Sequence, residues 1–283
     1  MASSKRRGKE GRAVAAAQRS HYHDGMSTRP KLAPGPFRAD QIRCGDPYEL
    51  SDGHPILAVP TGGRGSASIA DGSLALTTDP MVQEAGIDTG YSPEPGTLRA
   101  PDIAIGNVPD EPGWVRGVPP LAVEYADRGQ DEDELAAKIG ELLAAGTKLI
   151  WVVRLAGARR VEVHEQGRTM RMVLPGEKLE APGILKNAVP VEALYDPKAS
   201  REVALSNLLQ REGYRDLGAV RAEARSEGQL VARREALLTV VAARGWSLSN
   251  EQRDKLMACG DSATLDRWIA RAAQLDSVDR VFE

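Results

Sequence analysis

The sequence lacks the features that mark secreted, membrane-spanning or zinc-binding proteins. It has two cysteines, Cys44 and Cys259, and their wide separation provides neither a disulfide framework nor a metal-binding pair. Such sparse use of cysteine favours a reducing compartment, and we expect a cytoplasmic protein. No apolar run approaches the roughly 18 residues that a bilayer-spanning helix needs. The basic N-terminus has no apolar core of a secretory signal, so the sequence predicts no membrane association.

A strong excess of charge of one sign is also missing. The net charge of -3 over 283 residues predicts no general attraction to nucleic acid or to membrane surfaces. Aromatic residues make up only 4% of the chain, but an apolar content of 41% is enough for one medium domain with appendages. Composition therefore bounds the fold, and the function has to be sought in local groupings of residues.

The first 38 residues are basic, contain several Pro and Gly, and have few side chains able to form a core. We predict that residues 1–38 are a disordered tail. The cluster at residues 5–9 can touch phosphate groups weakly, although a solubilising role is the simpler interpretation. His21 and His23 alone would make a poor metal site.

Turn and strand signals follow the tail. The dipeptide Asp52-Gly53 between two half-apolar runs predicts a β-hairpin. The Gly-rich residues 61–66 lack the Lys-Ser/Thr ending of a phosphate-binding loop, so we interpret them as a flexible turn. Residues 73–78 are predicted to form a strand, and a further short strand is expected at residues 86–88.

The centre of the chain predicts an α/β fold. Apolar runs at residues 103–105, 121–125 and 149–153 are typical of buried strands. Between the last two lies an acidic helix start at residues 131–134, followed by apolar residues at helical spacing until Gly146. We expect a mixed sheet flanked by helices, with this domain extending over residues 39–197.

The remaining residues, 198–283, predict an α-helical C-terminal extension. Residues 200–244 are rich in Ala, Leu, Arg and Glu and contain no proline. Three glycines mark expected breaks in this helical region: Gly213, Gly218 and Gly228. Apolar stripes that include Leu237, Leu238 and Val241 would need a partner surface, and this suggests a homodimer formed through the C-terminal helices.

Two carboxylates and a lysine stand at informative places in the predicted sheet. Asp102 opens one strand, Glu124 lies inside its neighbour, and Lys138 is on the following helix. Two anions on adjacent strands are unfavourable unless a cation lies between them, and oxygen ligands favour Mg²⁺ or Mn²⁺. A metal ion with a nearby ammonium group is suited to phosphodiester hydrolysis, because negative charge develops on the phosphate oxygens.

A purely structural interpretation of the same residues stays open. Asp102 can be an ordinary turn residue, and Lys138 can lie on a solvated helix face, as we expect for Lys148. Glu124 is harder to explain in this way, because a carboxylate within an apolar strand is costly to bury without a partner.

Several short segments stand in a characteristic order. They are Tyr48-Glu49-Leu50-x-Asp52-Gly53, Pro101-Asp102-Ile103-Ala104, Val123-Glu124, Lys138, Gly146-Thr147-x-Leu149-Ile150-Trp151, Leu179-x-Ala181-Pro182-Gly183 and Val191-x-Ala193-Leu194-Tyr195. With these segments, residues 48–196 resemble the Uma-type restriction endonuclease family of the PD-(D/E)xK nuclease superfamily. That family carries its lysine on the helix after the second acidic strand, and Ala126 accordingly occupies the alternative lysine position.

The resemblance implies a role for each site residue. It implies that Asp102 and Glu124 are metal ligands, that Lys138 is the catalytic lysine, and that Glu49 is an additional acidic contributor. The chain departs from many relatives at residues 126–129, where they have a Ser-Pro-Ser turn. The expected function is a Mg²⁺- or Mn²⁺-dependent DNA endonuclease. The alternative is a catalytically silent nuclease-fold module that binds nucleic acid or a protein partner.

Overall fold

The computed structural model describes residues 35–283. The predicted tail, residues 1–38, therefore lies almost wholly outside the described residues, as do the basic cluster and the two histidines within it. The described chain confirms the predicted fold class. It forms a mixed six-stranded sheet flanked by helices, followed by further helices at the C-terminal end.

Twelve strands and six α-helices are formed within the described residues. The strands are β1 (Tyr48–Ser51), β2 (His54–Leu57), β3 (Ala85–Ile87), β4 (Tyr91–Ser92), β5 (Ile103–Ile105), β6 (Val115–Arg116), β7 (Leu121–Ala126), β8 (Leu149–Arg154), β9 (Arg160–Glu165), β10 (Arg171–Val173), β11 (Lys178–Leu179) and β12 (Val189–Pro190). The helices are α1 (Gly63–Thr77), α2 (Glu132–Ala144), α3 (Pro197–Arg211), α4 (Leu217–Ala243), α5 (Asn250–Ala258) and α6 (Ser262–Gln274).

The central sheet has the order β10-β9-β8-β7-β5-β3. Strands β7 and β8 are parallel and are joined through α2, whereas the other neighbours are antiparallel. Every residue of β7 is buried, which places this strand at the centre of the core. Because side chains alternate along a strand, Val123 and Tyr125 pack in the core cluster that includes α1, whereas Ala122 and Ala126 pack under α2. Glu124 shares the second face.

Helix α2 begins and ends where local chemistry predicts. The Asp131 side chain accepts a hydrogen bond from Glu134 N, and acidic residues fill the first turn. Gly146 follows the helix with a φ of +112°, which a residue with a side chain rarely adopts. Leu135, Ile139 and Leu142 bury one face against the sheet, and this orientation leaves Lys138 on the side that points toward β5 and β7.

The predicted strand at residues 73–78 is wrong, because these residues belong to α1. This helix begins at Gly63 without a side-chain cap, so the Gly-rich segment that we interpreted as a flexible turn is largely its first turn. Gly72 allows α1 to lie directly on the sheet, since a Cβ atom there would be 1.9 Å from Tyr125 Oη. The hairpin at Asp52-Gly53 is confirmed, with positive φ angles of 47° and 74°.

Helix α3 packs against the sheet domain. The buried Asn207 side chain donates a hydrogen bond to Ala75 O, and Arg211 donates to the carbonyl groups of Thr78, Asp79 and Val82. The predicted division at residues 197–198 stays a prediction, and these contacts favour a boundary between α3 and α4. Gly213 does separate two helices, whereas α4 continues through Gly218 and Gly228, so the breaks predicted there are wrong.

The C-terminal helices have an apolar cluster of their own. Leu237 and Val241 of α4 pack with Leu265 and Trp268 of α6, and Phe282 closes the cluster. These contacts occupy the α4 stripe that suggested a dimer, so the described part of the chain gives no support to a homodimer formed through it. None of the helices in residues 35–283 combines the length and apolar character that a membrane crossing would require.

Candidate active site

Strands β5 and β7 bring the two predicted acidic ligands to adjacent positions. Ile103 pairs with Val123, and continuing this antiparallel register by one residue sets Asp102 opposite Glu124. The Asp102 carboxylate is also held in place, because its Oδ2 accepts a hydrogen bond of 2.6 Å from Tyr125 N. Burial raises the pKa of Asp102, and both the Lys138 charge and this backbone hydrogen bond lower it in part.

Lys138 reaches the same place from α2. Its Nζ atom lies 2.9 Å from Glu124 Oε1 and donates hydrogen bonds of 3.1 Å to Glu124 Oε2 and 2.7 Å to Ala100 O. It also lies 3.2 Å from Glu49 Oε1. The alternative that Lys138 lies on a solvated face, as exposed Lys148 does, is therefore wrong. Three of the four predicted site residues, Glu49, Glu124 and Lys138, are in direct contact, and Asp102 is their neighbour.

Glu124 is the most deeply buried carboxyl group at the site. Its side chain is 8% exposed, and Oε1 has no well-aligned hydrogen-bond partner among the described residues. Burial raises the pKa of Glu124 to about 8, against an opposing effect of the Lys138 charge. Burial alone would lower the pKa of Lys138, but the charges of Glu124, Glu49 and Asp102 raise it above its ordinary value. The site thus holds a permanent cation beside a carboxyl group that is costly to ionise.

Arg99 is part of the site and was not found by sequence reasoning. The residue is fully buried, with Nε 2.5 Å from Glu141 Oε2 and Nη1 2.6 Å from Glu134 Oε1. Its Nη1 also lies 3.3 Å from Glu49 Oε2, so Glu49 is held between Arg99 and Lys138. Nearby carboxylates raise the pKa of Arg99, although burial opposes them. A signal was present in α2, where two acidic residues flank Lys138 on one helical face.

Asp88 is a second residue that sequence reasoning missed. The pairing of Ile87 with Ile103 continues to a hydrogen bond of 3.4 Å from Asp88 N to Asp102 O, so Asp88 lies opposite Asp102. Asp88 follows a short strand in a polar, Gly- and Pro-rich segment, and no local pattern indicated a site residue there. Asp88 directly follows β3, Asp102 directly precedes β5 and Glu124 lies inside β7, so the three residues occupy neighbouring positions across the sheet.

The carboxylate oxygens at the site are suitable ligands for a hard divalent cation. Six carboxyl groups and only two basic groups lie in this network: Glu49, Asp88, Asp102, Glu124, Glu134 and Glu141 with Arg99 and Lys138. In residues 35–283 no three acidic, His or Cys side chains converge closely enough to hold a metal ion by themselves. Mg²⁺ needs only one or two carboxylates, because it keeps several of its waters. The carboxyl groups of Asp102 and Glu124 satisfy that requirement.

The sheet, the acidic pair and the helix-borne lysine define a restriction-endonuclease-like α/β protein. A sequence model of the family Uma2, described as "Putative restriction endonuclease", matches residues 40–192. The match spans more than half of the chain, so the chain belongs to the Uma2 family, and the predicted family is confirmed.

The chain is similar to a solved crystal structure from Anabaena variabilis, described as a "putative nuclease belonging to DUF820", with 16% sequence identity and a TM-score of 0.48. The match covers 56% of this chain and 98% of that one. No curated protein matches the chain.

Proposed function

We propose that this chain is a Mg²⁺- or Mn²⁺-dependent endonuclease that hydrolyses phosphodiester bonds of DNA. Membership of a family of restriction endonucleases supports the nuclease class. The observation that carries the proposal is the contact between Lys138 and Glu124, two residues 14 positions apart in the sequence, beside Asp102. Two neighbouring carboxyl groups can hold a metal ion, and a protonated amine beside them can stabilise the charge that develops in phosphodiester hydrolysis.

In this proposal Asp102 and Glu124 hold the metal ion. Asp102 is oriented by Tyr125 N, and Glu124 offers Oε1, which has no well-aligned hydrogen bond in the described chain although Lys138 Nζ lies 2.9 Å away. The bound cation supplies two things, a more acidic water molecule and neutralisation of the charge on the scissile phosphate. It also compensates the cost of ionising Glu124, whose pKa burial raises to about 8.

Lys138 supplies a fixed positive charge next to the metal site. Its raised pKa keeps the ammonium group protonated over the physiological pH range. The hydrogen bonds to Ala100 O and Glu49 hold the group in place, so that it can face a non-bridging phosphate oxygen. Preorganised donors of this kind stabilise a transition state that accumulates negative charge. Glu49 positions Lys138, because one of its oxygens lies against Lys138 and the other against Arg99.

Plasmid nicking tests this proposal. We expect purified wild-type protein to nick supercoiled DNA with Mg²⁺ or Mn²⁺ and to stop when a chelator is added. The Glu124→Gln variant should lose at least about 100-fold in rate. Glu162→Gln is the matched control, because Glu162 is also a buried glutamate of the central sheet but is paired with Arg154 and Arg160. Equal cleavage by wild type and Glu124→Gln would reject the assigned site.

A catalytically silent binding module is the second candidate. The observation in its favour is that Lys138 already lies in contact with Glu49 and Glu124, while the described residues contain no preformed three-ligand cluster. Calorimetry distinguishes the two candidates. DNA binding without any binding of Mg²⁺ or Mn²⁺ would favour the silent module.

A further inference from the structure

Asp88 lies beside the candidate active site, and the proposed function gives it no role. It follows β3 at the position opposite Asp102, and its backbone N–H donates a hydrogen bond of 3.4 Å to Asp102 O. Two carboxylates at neighbouring positions are mutually unfavourable unless a cation compensates them.

The backbone conformation of Asp88 explains why an acidic residue is tolerated at this bend. Its φ of +52° is in the left-handed region, which Asp and Asn enter more readily than most residues. Asp88 is exposed, so its carboxyl group is open to solvent and to a hydrated ion. Asparagine can replace aspartate here without changing the backbone preference, which makes Asp88 a suitable position for mutagenesis.

Asp88 is electrostatically part of the site. Partial burial raises its pKa, the charge of Lys138 lowers it, and the charge of Glu49 raises it. Asp88 in turn raises the pKa of Asp102. A second observation points to a ligand at this place, namely the buried Glu124 carboxyl group, whose Oε1 has no well-aligned hydrogen-bond partner in the described chain although Lys138 Nζ lies 2.9 Å away.

We propose that Asp88 helps to hold the divalent cation by accepting a hydrogen bond from a metal-bound water, while Asp102 and Glu124 bind the ion directly. This inference rests on the proposed function. A water-mediated contact agrees with the described residues, which do not converge closely enough for three direct ligands. It also agrees with the tendency of Mg²⁺ to keep several waters. Carboxylates that bind through such waters tune both affinity and ion position.

Titration calorimetry with Mn²⁺ on the metal-free full-length protein tests the role of Asp88. We expect Asp88→Asn to weaken Mn²⁺ binding about tenfold or more, as is typical for loss of an outer-shell ligand. Asp52→Asn is the matched control, because Asp52 is also exposed, also has a left-handed φ (47°), and lies in the β1–β2 turn. Asp52→Asn should bind as tightly as wild type.

Salt dependence separates a water-mediated contact from a general charge effect. A long-range effect is screened as salt rises from about 0.1 M to about 1 M, whereas a contact through one water is screened much less. The inference is overturned if the effect of Asp88→Asn vanishes at high salt, or if Asp52→Asn weakens binding equally. If Asp88→Asn binds Mn²⁺ as tightly as wild type while Glu124→Gln loses Mn²⁺ binding, Asp88 has no role in the metal site and the proposed function is still supported. Absence of Mn²⁺ binding in the wild type would contradict both.

Discussion

Lys138 Nζ lies 2.9 Å from Glu124 Oε1, and this contact joins helix α2 to strand β7. The strand buries the carboxyl group, and the helix brings an ammonium group to it at a side-chain exposure of only 12%. Breaking such a pair strands a charge in a buried place, and this is expensive. The pair is therefore both a structural contact and the basis of the proposed chemistry, and variants can separate these two roles.

The Lys138→Gln variant should lose cleavage while keeping metal binding. Removal of the ammonium group takes away the charge that stabilises the transition state, so the rate should fall at least about 100-fold. The same change removes a cation next to the metal ligands, so Mn²⁺ affinity should not fall. Nicking assays and calorimetry measure the two effects. Lys148→Gln is the control, because Lys148 is exposed and lies four residues past the end of α2, and it should change neither the cleavage rate nor the Mn²⁺ affinity. Weaker Mn²⁺ binding in Lys138→Gln would show that Lys138 has a structural role.

Glu124 should make the free energy of unfolding fall as the pH rises, whereas most acidic residues, whose pKa is lowered by folding, make it rise. Its folded-state pKa is raised from 4.5 to about 8, so its contribution to stability is present below pH 4.5 and is lost as pH rises through 8. The Glu124→Gln variant does not titrate there. In chelator, the stability of the variant relative to wild type should therefore rise as the pH rises from 4.5 to 8.

Urea unfolding of both proteins at acidic and at mildly alkaline pH measures this difference. A free-energy gap that stays constant across the range would show that Glu124 is ionised as easily in the folded state as in the unfolded one. Added Mn²⁺ should reduce the advantage of the variant, because only the wild type keeps the carboxylate ligand.

Arg99 should be among the most sensitive positions of the domain. It is fully buried and pairs with Glu49, Glu134 and Glu141, so Arg99→Met leaves three carboxylates without this partner and should cost about 3–5 kcal/mol. Arg99→Lys keeps the charge but loses the planar fork, and should cost less. Urea unfolding measures both. Arg168→Met, which removes an exposed pair with Glu165, should cost less than about 1 kcal/mol, and an equal cost at the two positions would contradict the account.

The contacts of α3 predict where the chain can be shortened. A chain ending at residue 215 keeps Asn207 and Arg211, whose side chains bind the end of α1. A chain ending at residue 196 loses both, and its unfolding midpoint should be lower by at least about 5 °C. Calorimetric scans compare the two. Equal midpoints would show that α3 belongs with the C-terminal helices, as the predicted boundary at residue 197 requires.

Local signals were sufficient for the elements that carry the site. The apolar run of β7 and the acidic start of α2 were both predicted from the sequence, and the structure forms a side-chain cap at the start of α2. Such signals depend on neighbours within a few residues. Helix α1 was missed because its Gly-rich start has no side-chain cap and Gly72 interrupts its apolar pattern.

The rest of the site depends on contacts that no local pattern encodes. Arg99 meets Glu134 and Glu141 across 35 and 42 residues, and only the packing of α2 on the sheet brings them together. Asp88 joins the site through the register of β3 with β5. Strand register is set by the alternation of the whole sheet, so a single polar residue beyond a three-residue strand gives little indication of its position.

Diffraction from crystals containing Mn²⁺, measured for its anomalous signal, tests the central claim most directly. We expect one ion bonded to Asp102 and Glu124, with Lys138 Nζ beside it. The hydrogen bond from Tyr125 N to Asp102 should still be formed. Two results would contradict the central claim. One is an ion bound elsewhere, and the other is a crystal saturated with Mn²⁺ in which no ion contacts Glu124 and Lys138 remains its only cationic partner.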